Sequence, residues 1–509
     1  MTLSRISGLF LSSIIMLTLV GCGSSGGGGT TTGGGGGEQV ADFGTKEFHP
    51  TLGDMDLDGD LDLFCSGSWD VSMQPTRHLN NGSGTFLAGT SFANSVTLGS
   101  NSLFDFDNDG DLDFAYQGFS SPTYYTDVFA NGGGDVFTDL GLSLTGLRNP
   151  VVRTGDLNSD GLLDLLISGE ASGGGTTKCY LNDGSGGFNE KAYTWATPQG
   201  RAAALGDFDN DGDLDVFAMG NQVRLYWNDG AANFIDMGQL IGRPEHGNVA
   251  LGDFDNDGDL DMLVCGNTTI RAQLLYNEGS GVMRPHGMPT LPVSDKGQCA
   301  FYDHNNDGNL DFILCGVDSG TAYTVLYIND GAGVDGAATF TEITSPFTAV
   351  SHATIAVGDI DKDGDSDVII NGRPNGGGGA QTQTYVNETA AVNDRPTQPT
   401  TMNSSFTGTG PYEITFSWND GSDPETGTKG LSYELRIGTS SGSHDIRCGY
   451  HLADGTRTIA RRGSLQPKKA GLSETKVNLP AGTYYWTIQT VDTSYIGSTV
   501  TNEQTLTVP

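Results

Sequence analysis

The stretch Asp207-Phe208-Asp209-Asn210-Asp211-Gly212-Asp213-Leu214-Asp215 puts a carboxylate at every odd position of nine residues and a glycine at the sixth. The pattern Asp-x-Asp/Asn-x-Asp-Gly-x-x-Asp also starts at Asp54, Asp105, Asp156, Asp253, Asp303 and Asp359. The seven copies lie 51, 51, 51, 46, 50 and 56 residues apart. Such a period means an array of one supersecondary unit, in which each copy buries its apolar face against its neighbours. A second marker keeps register: a phenylalanine stands 19 residues ahead of the next loop at Phe86, Phe137, Phe188, Phe234 and Phe340, with Arg284 replacing it in one copy.

Around the quoted stretch, Ala202 to Leu205 read as a strand entering the loop and Val216 to Met219 as one leaving it. Arg224 to Trp227 follow, then the turn Asn228-Asp229-Gly230, then Phe234 to Met237. Four short strands in about 50 residues, with Asn-x-Gly hairpin signals, describe one propeller blade. The fold class expected is therefore all-β, a seven-bladed propeller over residues 38–393 followed by a β-sandwich domain over 394–509. The last copy ends at Tyr385-Val386-Asn387 without a fourth strand, and residues 39–43 precede the first loop, so the N-terminal segment is expected to complete the seventh blade and close the ring.

The loop composition suits calcium, which takes six to eight oxygens and so needs several acids and a backbone carbonyl to converge. Expected side-chain ligands are Asp54, Asp56, Asp58 and Asp62; Asp105, Asp107, Asp109 and Asp113; Asp156, Asn158, Asp160 and Asp164; Asp207, Asp209, Asp211 and Asp215. The later copies supply Asp253, Asp255, Asp257 and Asp261; Asp303, Asn305, Asp307 and Asp311; Asp359, Asp361, Asp363 and Asp367. Position 7, which is Asp60, Asp111, Leu162, Asp213, Asp259, Asn309 or Asp365, is expected to give its main-chain carbonyl, so its side chain is free to vary. An EF-hand needs a glutamate at position 12 and flanking helices. Here position 12 is Cys65, Tyr116, Ile167, Ala218, Val264, Leu314 or Ile370, and all suit a strand interior. The loops hold 31 of the chain's 62 acids, so up to seven structural calcium ions would relieve a large self-repulsion.

The 509 residues carry 25 basic against 62 acidic side chains, a net charge of −37, which disfavours nucleic acid and anionic membrane surfaces. At the N-terminus, Arg5 precedes the twelve-residue apolar run Leu9 to Val20, too short to span a bilayer and suited to an export signal over residues 1–21. The run ends in Leu19-Val20-Gly21-Cys22, which resembles the lipobox of bacterial lipoproteins. That resemblance implies cleavage before Cys22, lipidation of Cys22 and, with Gly23 next, the outer membrane or cell surface. Residues 22–37 form a Gly-rich tether that spans about 20 Å as a random coil.

The seven loops resemble the FG-GAP/VCBS repeats of bacterial surface proteins and, more distantly, the integrin α propeller; a fungal lectin family with a seven-bladed calcium-loop propeller is similar too. The chain departs from the integrin pattern by carrying Leu-Gly-Asp or similar before the loop and by keeping the loop in all seven copies. The resemblance implies a non-enzymatic, calcium-braced surface protein that binds an extracellular glycan or protein. A calcium-dependent polysaccharide lyase or hydrolase, or a structural part of an outer-membrane complex, are the alternatives.

From residue 394 the balance changes, with 10 basic and 10 acidic side chains over 395–509. Strand alternation marks Tyr412 to Trp418 and Tyr433 to Ile437, and Leu479 to Trp486 resembles the tyrosine-corner strand of fibronectin type III domains. An insertion, Ser441 to Leu472, holds Arg457, Arg461, Arg462, Lys468 and Lys469; a solvated loop is the simpler reading and docking onto an acidic propeller the alternative. Cys299 and Cys315 flank one loop symmetrically, which suggests a hairpin disulfide. The mouth of the ring opposite the acidic loops is the expected ligand face, with Trp69, Tyr124, Tyr125, His246, His352 and Arg373 as candidates.

Overall fold

The structure, a computed structural model, describes residues 13–17 and 47–509 apart from 68–72, 88, 93, 135, 172–173, 194, 196–201, 221–222, 242–244, 268–270, 280, 289–290, 293, 296, 333–337, 376–377, 390 and 468–472. Among these residues every regular element is a strand, and no helix is long and apolar enough to cross a membrane.

Seven four-stranded antiparallel units follow one another in chain order, one per acidic loop. Blade 1 opens on His49–Gly53, blade 2 on Thr97–Phe104, blade 3 on Arg148–Gly155 and blade 4 on Ala202–Gly206. Blades 5, 6 and 7 open on Glu245–Gly252, Cys299–Tyr302 and Val350–Gly358. These first strands touch one another in ring order, and that of blade 7 touches that of blade 1, so the propeller is closed. Each acidic loop joins a first strand to a second, for example Ala202–Gly206 to Asp215–Met219 with Gly206 opposite Asp215.

The second strands show why the blades stack. Asp62–Ser66 and Asp215–Met219 are buried at every position, since neighbouring blades cover both of their faces. Their sequences are accordingly continuous apolar runs rather than alternating ones. All seven position-12 residues, from Cys65 to Ile370, lie inside such strands and are buried. Fourth strands are the rim; Thr90–Ser91 is two residues long and exposed, and Phe137–Asp139 and Met283–Pro285 have three residues each. Short edges of this kind offer little to an incoming strand.

The glycine of Leu-Gly-Asp has a packing role. A Cβ on Gly206 would come within 2.4 Å of Leu260 Cδ2, and one on Gly155 within 2.6 Å of Leu214 Cδ1. In each case the leucine is position 8 of the next blade's loop, so the missing side chain sets the distance between blades.

In blade 7 the fourth strand is Ser13–Leu17, antiparallel to Gln381–Glu388, with Ser13 opposite Glu388 and Leu17 opposite Thr384. The ring is thus completed from the N-terminal side, but by the apolar run itself; residues 39–43 lie outside the described residues.

The C-terminal sandwich packs the sheet Met402–Thr407, Tyr412–Trp418, Ser473–Leu479 against the sheet Ser432–Gly438, Gly482–Val491, Gln504–Val508. Phe416, Trp418, Leu435 and Trp486 lie in its core, and Tyr484 Oη donates to the Pro480 carbonyl four residues upstream at 3.0 Å.

Two expectations are corrected. Cys299 pairs in register with Leu314, one residue short of Cys315, and a one-residue offset sends the two side chains to opposite faces of the sheet. Cys299 joins the core shared with blade 5 and Cys315 the core shared with blade 7, so both are free thiols. The described part of the basic insertion is not a solvated loop: Arg457 is buried, and Thr458 bonds the propeller at Asp54, while Lys468 and Lys469 lie outside the described residues.

Candidate metal centres and the axial mouth

Six of the acidic loops are built from the same hydrogen bonds, and the seventh differs only in that Asp363 N turns to Asp361 Oδ1 at 3.4 Å. The position-1 carboxylate accepts the N–H groups of positions 5 and 6: Asp207 Oδ1 from Asp211 N at 3.1 Å and Oδ2 from Gly212 N at 3.0 Å. The position-9 carboxylate accepts from position 2 and from an asparagine in the third strand; Asp215 takes Phe208 N at 3.0 Å and Asn228 N at 2.9 Å. Gly212 has a φ of +100°, which makes the bend at position 6 cheap only for glycine. Position 4 is left-handed in all seven copies, from Leu57 to Lys362, which explains why it is usually asparagine.

That position-4 side chain reaches the next loop. Ser159 Oγ donates to Asp213 at 3.0 Å, Asn210 Nδ2 to Asp259 at 2.5 Å, Asn256 Nδ2 to Asn309 at 3.0 Å, Asn306 to Asp365, and Lys362 pairs with Asp60. Position-7 side chains therefore tie blade to blade. Leu162 offers no such acceptor, and Asn108 turns instead to the Gly161 carbonyl at 3.3 Å.

A second circuit was not read from the sequence. The asparagine opening each third-to-fourth-strand turn donates Nδ2 to the position-2 carbonyl of the preceding blade. Asn131 reaches Met55 O at 3.0 Å, Asn182 Phe106 O at 2.8 Å, Asn228 Leu157 O at 2.8 Å and Asn277 Phe208 O at 2.8 Å. Asn329 to Phe254 O (2.7 Å), Asn387 to His304 O (2.8 Å) and Asn80 to Ile360 O (2.7 Å) complete the ring. These residues were visible only as turn signals, because their partners lie tens to hundreds of residues away.

In four loops, one oxygen each from positions 1, 3 and 9 lies within 4.8 Å of the others: Asp105, Asp107, Asp113; Asp207, Asp209, Asp215; Asp253, Asp255, Asp261; and Asp359, Asp361, Asp367. In the first loop the set is Asp54, Asp56 and Asp58. In the third and sixth loops the asparagine at position 3 instead donates to position 5, Asn158 to Asp160 at 2.9 Å and Asn305 to Asp307 at 3.0 Å. Burial, then Asp211 and Asp209, push Asp207 up to about 8. Burial likewise raises Asp113 to about 9 and Asp54 to about 7, and lifts Asp261 and Asp311 well above the ordinary carboxylate range. Asp359 Oδ1 and Asn305 Oδ1 are buried without a hydrogen-bond partner. Converging carboxylates, raised pKa values and orphaned oxygens at positions 1 and 3 are what a hard divalent cation fits.

The loop end of the axial channel is covered by the C-terminal sandwich. Asp54 N donates to Thr458 O at 2.8 Å, Asn108 Nδ2 to Ile446 O at 2.9 Å, and Asn478 N to Ser159 O at 3.1 Å. Thr493 Oγ1 donates to Asp303 Oδ2 at 3.0 Å, and Arg447 lies 3.6 Å from Asp156. Cys448, Tyr450 and Ile459 enter the apolar core of blades 1 and 2 with Met55, Phe64 and Leu103. Beneath this cap lies a cavity of about 450 Å³, and at the opposite end of the channel a mouth of about 540 Å³ shares Thr51, Cys299 and Ile355 with it.

Of the six expected ligand-face residues, His352 alone is placed in the wall of that mouth. Tyr124 and Tyr125 are not among its lining; they lie in the blade 2 strand Thr123–Asn131, Tyr124 with its ring 4.8 Å from Phe119. Arg373 pairs with the buried Glu47 carboxylate. His246 belongs to the strand Glu245–Gly252, and Trp69 lies outside the described residues. The mouth is instead lined by His49, Arg148, Arg153, Asn248 and Gln298. Three of these stand five residues ahead of a loop, a regularity the sequence carries at His49, Asn248 and Gln298.

Among curated proteins no sequence matches the chain. Among solved structures it is similar to BBS1N in complex with ARL6DN (12% identity, TM-score 0.42, covering 69% of this chain and 95% of that one). It is also similar to the α-L-arabinanase of Penicillium chrysogenum complexed with arabinobiose (14%, 0.35, 58% and 94%). A third likeness is a fructofuranosidase of Schwanniomyces occidentalis complexed with fructosylnystose (8%, 0.26, 92% and 92%). These likenesses are distant and concern the fold alone. A family model described as FG-GAP-like repeat matches residues 30–116, 156–218, 207–264 and 303–370, together more than half of the chain. With its seven looped blades, the chain belongs to the FG-GAP-like repeat family.

Proposed function

We propose that the protein is a calcium-braced, ligand-binding propeller of the cell surface, recognising a glycan or protein at the mouth opposite the acidic loops. The observation that carries this is the cap: the sandwich occupies the loop end of the channel, which leaves the polar mouth as the end a partner reaches. The loops would hold calcium through positions 1, 3, 5 and 9, and the ion's role is to neutralise buried carboxylates and fix the blade edges. The Tyr484–Pro480 hydrogen bond supports a fibronectin type III-like reading of the sandwich. Export with cleavage before Cys22, and a lipid anchor there, would set the ring about 20 Å off an outer membrane.

The second reading is a polysaccharide lyase or hydrolase, favoured by the presence of His49, His352 and two arginines in one mouth. Among the described lining residues there is neither a tyrosine nor a carboxylate, so the histidines are the side chains there best suited to transfer a proton near neutral pH. A glycan array probed with residues 38–509, in calcium and in chelator, tests the proposal. Saturable, calcium-supported binding of a defined sugar without its cleavage is expected. Turnover of the bound sugar would favour the enzyme, and no binding by protein shown to be folded would remove the glycan arm.

A further inference from the structure

We propose that the mouth is a site for a carboxylate-bearing saccharide, with Arg153 as the group that holds the carboxylate and Arg148 at the rim. The inference rests on the ligand-binding reading above and adds the chemistry of the ligand. The chain has 62 acidic side chains, yet among the described residues none lines the mouth; its titratable side chains there are two arginines, two histidines and a cysteine. In a protein this acidic, a cavity from which carboxylates are excluded has the field of an anion site.

Arg153 sharpens the point. It projects from the blade 3 first strand, and its one described hydrogen bond runs from Nη1 to the carbonyl of its own neighbour Val152 at 2.9 Å. It has no ion-pair partner among the described residues, and burial alone pushes it down to about 10. Arg153 is half-buried, and a guanidinium partly withdrawn from water without a counter-charge is costly, while its planar fork is shaped for a carboxylate. The same charge, after burial, helps push His49 down to about 4, so that the imidazole is neutral at pH 7 and offers one donor and one acceptor.

The rest of the lining suits hydroxyl groups rather than an apolar side chain. Gln298 is oriented by the Ile355 N–H on its Oε1 at 2.8 Å, and Asn248 stands at the equivalent place in the adjacent blade. The backbone at the rim is also strained. Asn149 and His352 have φ values of +47° and +52°, each where its first strand slips register against the second. Bulges and left-handed non-glycine residues gather where a structure re-aims side chains toward a ligand.

The test is calorimetry on the calcium-loaded full chain with trimers of galacturonate, glucuronate and mannuronate, their methyl esters, and triglutamate. Saturable binding of a uronate trimer is expected, weakened by salt and by esterification, and reduced roughly thirtyfold or more by Arg153→Met. Arg153→Lys should restore part of it, and Arg148→Ala should have a smaller effect. Without ligand, Arg153→Met should not lower the thermal midpoint, because it removes a half-buried charge that has no ion-pair partner among the described residues. Equal binding of acid and ester, indifference to Arg153→Met, or binding of triglutamate alone overturns the carboxylate-saccharide site while leaving a ligand-binding propeller standing. No binding by any probe, with the fold intact, overturns the carboxylate-saccharide site, and the glycan array above decides separately whether the glycan arm of the ligand-binding reading falls.

Discussion

At the residue scale, each acidic loop is a cluster of carboxylates held together by main-chain donors. Raised carboxylate pKa values mean that the folded state binds protons more tightly than the unfolded chain, so stability is greatest below the unfolded value of about 4 and is lost as pH rises through the folded values. For Asp54, Asp207 and Asp113 those values are about 7, 8 and 9. In chelator, the urea midpoint is therefore expected to fall between about pH 5 and 8; with calcium the fall should be abolished or reversed, since the ion replaces the protons. A calcium-independent profile would refute the metal reading. The inter-blade asparagines give a second residue-scale prediction. Asn182→Ala leaves Phe106 O and Leu163 O without their donor, so it should cost about 1–3 kcal/mol by denaturant titration. Asn182→Ser, too short to reach either carbonyl, should cost a similar amount. A loss below about 0.5 kcal/mol, the size of an ordinary surface substitution, would show that the latch holds nothing.

At the element scale, much of the blade was legible because its signals are local. The nine-residue loop fixes the first turn, the Asn-x-Gly pair the second, and the apolar runs such as Val216-Phe217-Ala218 the strand buried between neighbours. What was not legible depends on register or on distant partners. Symmetry about loop 303–311 suggested that Cys299 meets Cys315, but the bond pattern offsets them by one residue and parts them across the sheet. Asn228 announced a turn, yet nothing near it in sequence announces Leu157, 71 residues away. The seventh blade carries a prediction of its own. Cleavage before Cys22 would remove Ser13–Leu17, whose backbone now pairs with Gln381–Glu388. The mature chain would then need residues 39–43 for that edge. Residues 38–509 are thus expected to be monomeric and residues 47–509 to associate, which sedimentation at several concentrations would resolve; equal behaviour of the two would mean that the edge needs no cover.

At the scale of the whole molecule, the acidic propeller and the nearly neutral sandwich meet where the ring is most negative. The five basic residues singled out in the insertion read first as a solvated loop, with docking onto the acidic propeller only the alternative, because complementarity between two surfaces is not a local pattern. In the structure the charge is used sparingly: Arg447 approaches Asp156, and Arg462 works against the rise at Asp253, while Tyr450 and Ile459 fill the gap over blades 1 and 2. Several contacts fall on the loops themselves, since Thr493 bonds the position-1 Asp303 and Thr458 the main chain of Asp54. Docking and metal binding should therefore be linked, because a loop that loses its ion changes the surface on which the sandwich sits. Without the ion, Asp303 and Asp156 become either protonated or mutually repelled by their own loop's acids, and both outcomes disturb their bonds to Thr493 and Arg447. In calcium the two parts should unfold in one transition, and in chelator in two, with the propeller first. Ile459→Asp buries a charge in the apolar seat and should give the two-transition behaviour even in calcium, leaving the loops' affinity for the ion within severalfold of the parent. Scanning calorimetry of both proteins decides it: two independent transitions in the parent with calcium present would mean that the sandwich rests on the ring without being coupled to it.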